Sequence, residues 1–135
     1  MVGETDLTTL LVGLKPVLQP EPFVFVSVLV LDTDVFERLT PKAMFRETEG
    51  VTLVLLQSVA DAEGFTYETV FHCITCEIHS SLEAVGLTAA MSQALTNVGI
   101  SANVIAAFYH DHIFVPQADA EQAMTTLKAL TAEHS

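Results

Sequence analysis

Few side chains in this chain are of types that do chemistry, and they fall into small groups. Cys73 and Cys76 spell C-x-x-C, Ser80 and Ser81 precede Glu83, and His79 stands apart from His110, Asp111 and His112. A C-x-x-C pair becomes a redox or zinc motif when a helix N-terminus lowers a thiol pKa or a second ligand pair completes a tetrahedron. Here the pair lies in Val70-Phe-His-Cys-Ile-Thr-Cys-Glu-Ile-His79, which reads as a strand. Residues three apart on a strand face opposite ways, so both cysteines are expected to be small, reduced packing residues. Imidazoles and a carboxylate at His79, His110, Asp111 and His112 suit zinc or a similar ion, and a metal-binding protein is one alternative. A polar surface turn accounts for the same residues, and no metal is assigned. Ser80-Ser-Leu-Glu83 is a capping-box spelling, in which the Glu reaches back to the cap and opens a helix from Leu82. Glu47 and Glu49 flank a turn and are read as solvated rather than as an acid–base pair. No nucleophile elbow, phosphate-binding glycine loop or zinc-protease helix is present in the sequence. No catalytic residue and no cofactor is assigned, and the protein is expected not to be an enzyme.

The elements that must position these residues are built from 135 residues, enough for one ordinary domain or two very small ones sharing a core. Seventeen acidic residues face five basic ones, for a net charge of -12, and Lys15, Arg38, Lys42, Arg46 and Lys128 are scattered. Binding to nucleic acid or to an anionic membrane rests on clustered cations, so both partners are excluded on charge. The longest apolar run, Phe23 to Leu31, is interrupted by Ser27 and falls short of a membrane span. The N-terminus carries Glu4 and Asp6 without a basic leader, and a cytoplasmic protein is expected.

Periodicity orders the chain. Leu7, Leu10, Leu11 and Leu14 form a helical stripe capped at Thr5 or Asp6, and Pro16, Pro20 and Pro22 read as a linker. Phe23 to Leu31 is a buried strand, Asp32 to Thr40 a short helix or loop, and Ala43–Glu47 with Val51–Leu56 a hairpin followed by a short helix to Glu63. From about Phe71 the order is β-α-β-β-α, with Gly99 stopping the first helix and Asp119 opening the last. The halves echo one another: Leu53-Val-Leu-Leu-Gln57 matches Ile113-Phe-Val-Pro-Gln117, each after a hairpin. A division at 1–66 and 67–135 follows. A closed β-α-β-β-α-β unit needs a fourth strand that the second half lacks, so a strand of the first half, such as Phe23 to Leu31, is expected to cover the open edge. The halves would then be interlocked.

At this point the residues resemble a known family. His79-Ser-Ser-Leu-Glu-Ala-Val-Gly86, Gly99-Ile-Ser-Ala-Asn-Val104 and Tyr109-His-Asp-His-Ile-Phe-Val-Pro116 resemble the ACT domain, and the whole chain is similar to bacterial proteins with two ACT-like halves in tandem. The resemblance implies an α+β fold of two ferredoxin-like, βαββαβ-type halves, with antiparallel sheets and helices on one face. It implies a regulatory or sensor protein that binds a small molecule, an amino acid or related metabolite, near the first β-α loop, and a homodimer as a further partner. Carried onto this chain, the ligand-binding positions are His79, Ser80, Ser81, Val85, Gly86, Asn103, His110, Asp111 and His112. Val85 stands where the family commonly has a proline. Helix-start N–H groups would take a carboxylate, and Asp111 would accept from an ammonium group. A protein-interaction or assembly module without ligand is the alternative.

Overall fold

Alternation and helical stripes both translate into elements in the computed structural model, which describes residues 6–77 and 84–134. The order is α1 (Leu7–Gly13), β1 (Pro16–Val28), α2 (Thr33–Leu39), β2 (Ala43–Arg46), β3 (Val51–Leu56) and α3 (Gln57–Ala62). It continues through β4 (Phe71–Cys76), α4 (Leu87–Asn97), β5 (Asn103–Ala106), β6 (Asp111–Pro116) and α5 (Ala120–Glu133), the last entered by a 3-10 turn at Gln117–Asp119. This is the α+β class expected, with antiparallel hairpins. The chain divides into two compact units, Met1–Pro20 with His72–Ser135 and Glu21–Phe71, here the flanking and the central unit. Strand β1 crosses the division and gives one part of itself to each.

In the central unit the strand order is β2–β3–β1. The β1–β3 register runs from Phe23 opposite Leu56 to Val28 opposite Val51. Alternation sends Val24, Val26, Leu53 and Leu55 into a core with Leu39 and Ala60 from the helices. The other face carries Phe23 under the Lys42 ammonium, 5.4 Å from the ring centroid, and Phe25 edge-on to Phe71 at 5.3 Å. The ambiguous segment after Leu31 resolves as helix α2. Asp32 accepts from the Val35 N–H at 2.8 Å, and Thr40 closes the helix in the left-handed region at φ 41°. Arg38 braces it, with 2.6 Å contacts to Asp34 and Glu63.

In the flanking unit the order is β1–β4–β6–β5. The β4–α4–β5 crossover leaves a gap between its strands that β6 fills, and the Pro16–Pro20 part of β1 supplies the fourth strand. The expected completion of the open edge is therefore met by residues N-terminal to the predicted run. The linker reading of Pro16, Pro20 and Pro22 is corrected: all three lie in strand. They share one parity, so their missing N–H groups fall on one side of the strand, and pairing with β3 starts only after them, at Phe23. The strand is anchored by the Glu77 N–H donating to the Lys15 carbonyl at 2.9 Å and by Gln19 Nε2 donating to Thr75 Oγ1 at 3.0 Å. Ile74, Cys76, Ile113 and Val115 face α4 and α5 and meet Leu87, Met91, Leu95, Ala123 and Leu127. Helix α1 adds Leu10, Leu11 and Leu14 to the same core, with Asp6 as its cap.

Candidate functional site

The expected site lies where β4 ends, α4 begins and the β5–β6 turn closes. In this antiparallel topology all three fall at one end of the flanking unit. His79, Ser80 and Ser81, with the capping-box Glu83, lie outside the described residues. The described flank corrects where the helix starts. Ala84 and Val85 are not helical, and α4 begins at Leu87 with Gly86 as its N-cap.

Gly86 caps α4 at φ 98°, a left-handed conformation that favours glycine, and offers no side chain to the helix N–H groups. The first intrahelical bond runs from the Ala90 N–H to the Gly86 carbonyl, so the amides of the first turn have no partner in the helix itself. Leu7 of α1 packs close against Gly86: a Cβ there would sit 3.1 Å from Leu7 Cδ2. Val85 is 82% exposed beside it. Sequence reasoning missed Leu7, because nothing in the helical stripe of α1 says which helix its first turn meets.

Asp111 opens β6 opposite Ala106 and shares a face with Ile113 and Val115. It is one of two buried polar side chains among the described residues, 7% exposed, the other being Thr75. No hydrogen bond reaches its carboxylate from any described residue. Burial holds its pKa above the ordinary 3.8, against the pull of the neighbouring His110. On the facing end of β4, burial followed by the Asp111 and Cys73 charges pushes the Cys76 thiol up to about 12, so it stays protonated. His110 has a buried Nδ1 with no hydrogen-bond partner.

The remaining expected residues point elsewhere. His112 follows Asp111 by one, so it faces away from the helices, where its Nδ1 lies 3.0 Å from the Thr75 hydroxyl. Asn103 stands at the start of β5, away from the turn, and donates from Nδ2 to the Phe114 carbonyl at 3.2 Å. Asp111 and His110 are thus together at the loop end, while His112 and Asn103 are not with them. Among the described residues, no group of three or more His, Cys, Asp or Glu side chains is placed to hold a metal ion. Cys73 and Cys76 form no disulfide and are both buried, with Cys76 Sγ 3.8 Å from Met91 Sδ in the core and Cys73 Sγ 3.9 Å from Thr75 Oγ1 on the opposite face. A groove of about 500 Å³ runs elsewhere on this unit, between Ala90–Val98 of α4 and its C-cap and Thr125–Glu133 of α5. Its walls are mainly Ala, Thr, Gln and Asn.

Comparison with known proteins agrees with this fold. Two ACT-domain family profiles match, one over residues 2–72 and the other over residues 68–129. A protein of unknown function from Vibrio cholerae, described as a possible transport protein, is 45% identical over 93% of this chain and 95% of its own, with a TM-score of 0.84. The ligand-free regulatory subunit of aspartate kinase from Thermus thermophilus matches at 11% identity and a TM-score of 0.64, over 85% of this chain and 95% of that one. A protein from Agrobacterium tumefaciens matches at 14% identity and 0.66, over 87% and 89%. At such identities the last two speak for the fold alone. No curated protein sequence matches significantly.

Proposed function

Because this chain belongs to the ACT-domain family, with two matches in tandem, we propose that it is a small-molecule-binding regulatory protein without catalysis. The ligand is an amino acid or related metabolite, held at the loop end of the flanking unit by the segment His79–Ser81, the start of α4 and the turn at His110 and Asp111. The observation that carries this reading is the buried Asp111, with no hydrogen bond from a described residue, at the same end as a helix start without a side-chain cap. Regulatory subunits of aspartate kinase share this fold, and the regulatory role is proposed here by analogy with them. No described helix is long and apolar enough to cross a membrane, and the two free thiols suit a reducing, cytoplasmic setting. Thermal-shift screening of the twenty amino acids tests the reading. A ligand at one hundred times its Kd adds about 2.7 kcal/mol of stability, which a domain of this size reports as a clear rise in Tm. A flat response to all twenty removes the ligand reading.

A second reading, an assembly module or homodimer, is favoured by the central unit. Phe45 is 71% exposed, Leu29 87% and Val30 72%. It predicts a mass that rises with protein concentration by light scattering and no metabolite response.

A further inference from the structure

Charge is spread along this chain except in one stretch. From Ala84 to His110, twenty-seven residues, there is no Asp, Glu, Lys or Arg, whereas the next longest such run, Gly50 to Ala60, has eleven. The stretch supplies the whole of α4, the whole of β5 and the turn that leads into β6. Much of it is on the surface: Gln93, Thr96 and Asn97 of α4 and Asn103 and Ala106 of β5 are exposed. A neutral surface on a protein of net charge -12 has the composition of an interface core, where charged residues are depleted because their desolvation is costly. The turn adds two aromatics, Phe108 and Tyr109, 59% and 62% exposed and set edge-on at 5.0 Å. Aromatic rings are enriched at interfaces because each buries a large apolar area.

Among the described residues, strand β5 is the last in the flanking unit's order, so its main chain is open on the side away from β6. The Ala107 N–H donates to the His110 carbonyl at 3.1 Å, which makes that facing pair a hydrogen-bonded one. Alternation gives the same role to Ile105 with His112 and to Asn103 with Phe114. Val104 and Ala106 therefore turn their N–H and C=O groups outward. The central unit has the same edge with a different finish. Its turn closes alike, the Glu47 N–H donating to the Gly50 carbonyl at 2.9 Å, which puts Arg46 where Ala106 stands and Val51 where Asp111 stands. There Lys42 and Arg46 along the strand, with Glu47 and Glu49 in the turn, guard the edge against an incoming strand. Strand β5 has neither a charged residue nor a proline to guard it.

Resting on the regulatory reading above, which requires a regulated partner, we infer that β5 receives an extended segment of another protein. The segment pairs with Val104 and Ala106 as an added strand and is anchored on Phe108 and Tyr109. Its chemistry follows from the edge. It is apolar on alternate residues, to lie along Val104, Ile105 and the aromatic turn, and it is neutral or basic, because the acidic protein around the edge repels carboxylates. A second copy of the chain is the poorer occupant. It brings its own charge of -12, and a four-residue edge, about 13 Å long, offers well under the ~800 Å² per partner that a stable dimer buries. A contact of this size suits a transient, reversible partner.

A display selection of random short peptides on the full chain tests this. The expected result is enrichment of peptides with alternating apolar residues and no Asp or Glu. Such a peptide, synthesised and added in excess to the wild-type chain, should slow amide exchange at Val104 and Ala106, read by nuclear magnetic resonance. Ala106→Pro, which removes one outward N–H, should weaken the peptide about tenfold, the loss of one hydrogen bond. Arg46→Pro, the same change on the central edge, should leave its affinity unchanged. No enrichment, a consensus rich in carboxylates, protection at Ala43–Arg46 in place of β5, or equal weakening by both variants overturns the inference. A dimer in light scattering that Ala106→Pro dissociates overturns it also, since the occupant is then a second copy. None of these results touches the regulatory reading, which falls separately if the thermal-shift screen stays flat. The exchange measurement needs no variant, so a folding defect in Ala106→Pro leaves the test intact.

Discussion

The central and flanking units run through the same β-α-β-β-α order, yet they solve the helix start differently. In the central unit four residues, Leu29 to Asp32, carry the chain from β1 to α2, and Asp32 satisfies the helix from within. In the flanking unit ten residues, Glu77 to Gly86, separate β4 from α4, and the cap is a glycine. The first arrangement spends its polar groups on itself. The second has no side-chain cap from Gly86, and a buried carboxylate stands on the hairpin at the same end of the unit. The difference teaches that a repeated fold can solve the same helix start in two ways, separated by a handful of side chains.

The comparison can be broken most forcefully at the two cores. Leu53→Ala in the central unit and Leu127→Ala in the flanking unit, both fully buried, should each cost about 2–5 kcal/mol. Because β1 belongs to both units, urea melts followed by far-UV circular dichroism should stay single and cooperative in both variants. Two separated transitions would show that the units are independent.

The next effect sharpens the contrast at the hairpins. Val51→Asp places a carboxylate in the central unit where none is needed and should destabilise by about 1–3 kcal/mol. Asp111→Asn should do the reverse in the absence of ligand, by on the order of 1 kcal/mol at neutral pH. The sign follows from the raised folded-state pKa of Asp111. Its protonated form favours the fold, so that contribution is complete below the ordinary 3.8 and is lost as pH rises through the folded value. The Tm advantage of Asp111→Asn over wild type should therefore grow from acid to neutral pH, with Cys76 uncharged throughout. A gap independent of pH would assign the gain to packing instead.

The two caps differ by less. Asp32→Ala removes a cap bond and should cost about 1 kcal/mol. Gly86→Ala forces a side chain into the left-handed region and against Leu7, costing about 1–2 kcal/mol. Adding Leu7→Ala should recover the steric part alone, which a double-mutant cycle measures. Smallest of all, Cys76 should not react with iodoacetamide at pH 8 in the native protein, since its thiol titrates only near 12; labelling detected by mass spectrometry would contradict its burial.

The fold was largely legible because apolar alternation and helical stripes are local signals. The hairpins at β2–β3 and β5–β6 and the helix stripes of α4 and α5 followed from them, while the family resemblance rested on the motifs at His79–Gly86, Gly99–Val104 and Tyr109–Pro116. Two features were not local. Pro16, Pro20 and Pro22 spell a linker to any reading of neighbours alone, and only the pairing partner β4 makes them strand. The capping-box spelling at Ser80–Glu83 lies outside the described residues, and the described start of α4 is Gly86, close against Leu7 of α1, which no local pattern announces. Of the site, Asp111 carried a readable signal: it occupies an inward position of a strand whose next inward residues are Ile113 and Val115. The same alternation separates His112 from it, a consequence that the apparent His-Asp-His cluster obscured.

The division of β1 also sets an order of events during synthesis. Leu10, Leu11 and Leu14 leave the ribosome first, yet their core partners include Leu127 and Leu130, made more than a hundred residues later. The central unit can begin to organise as soon as Phe71 has emerged, while the N-terminal segment waits on the order of seconds for its companions. During that interval three leucines on a short helix are open to chaperones. Slowing elongation after Phe71 should lengthen their exposure without hindering the central unit.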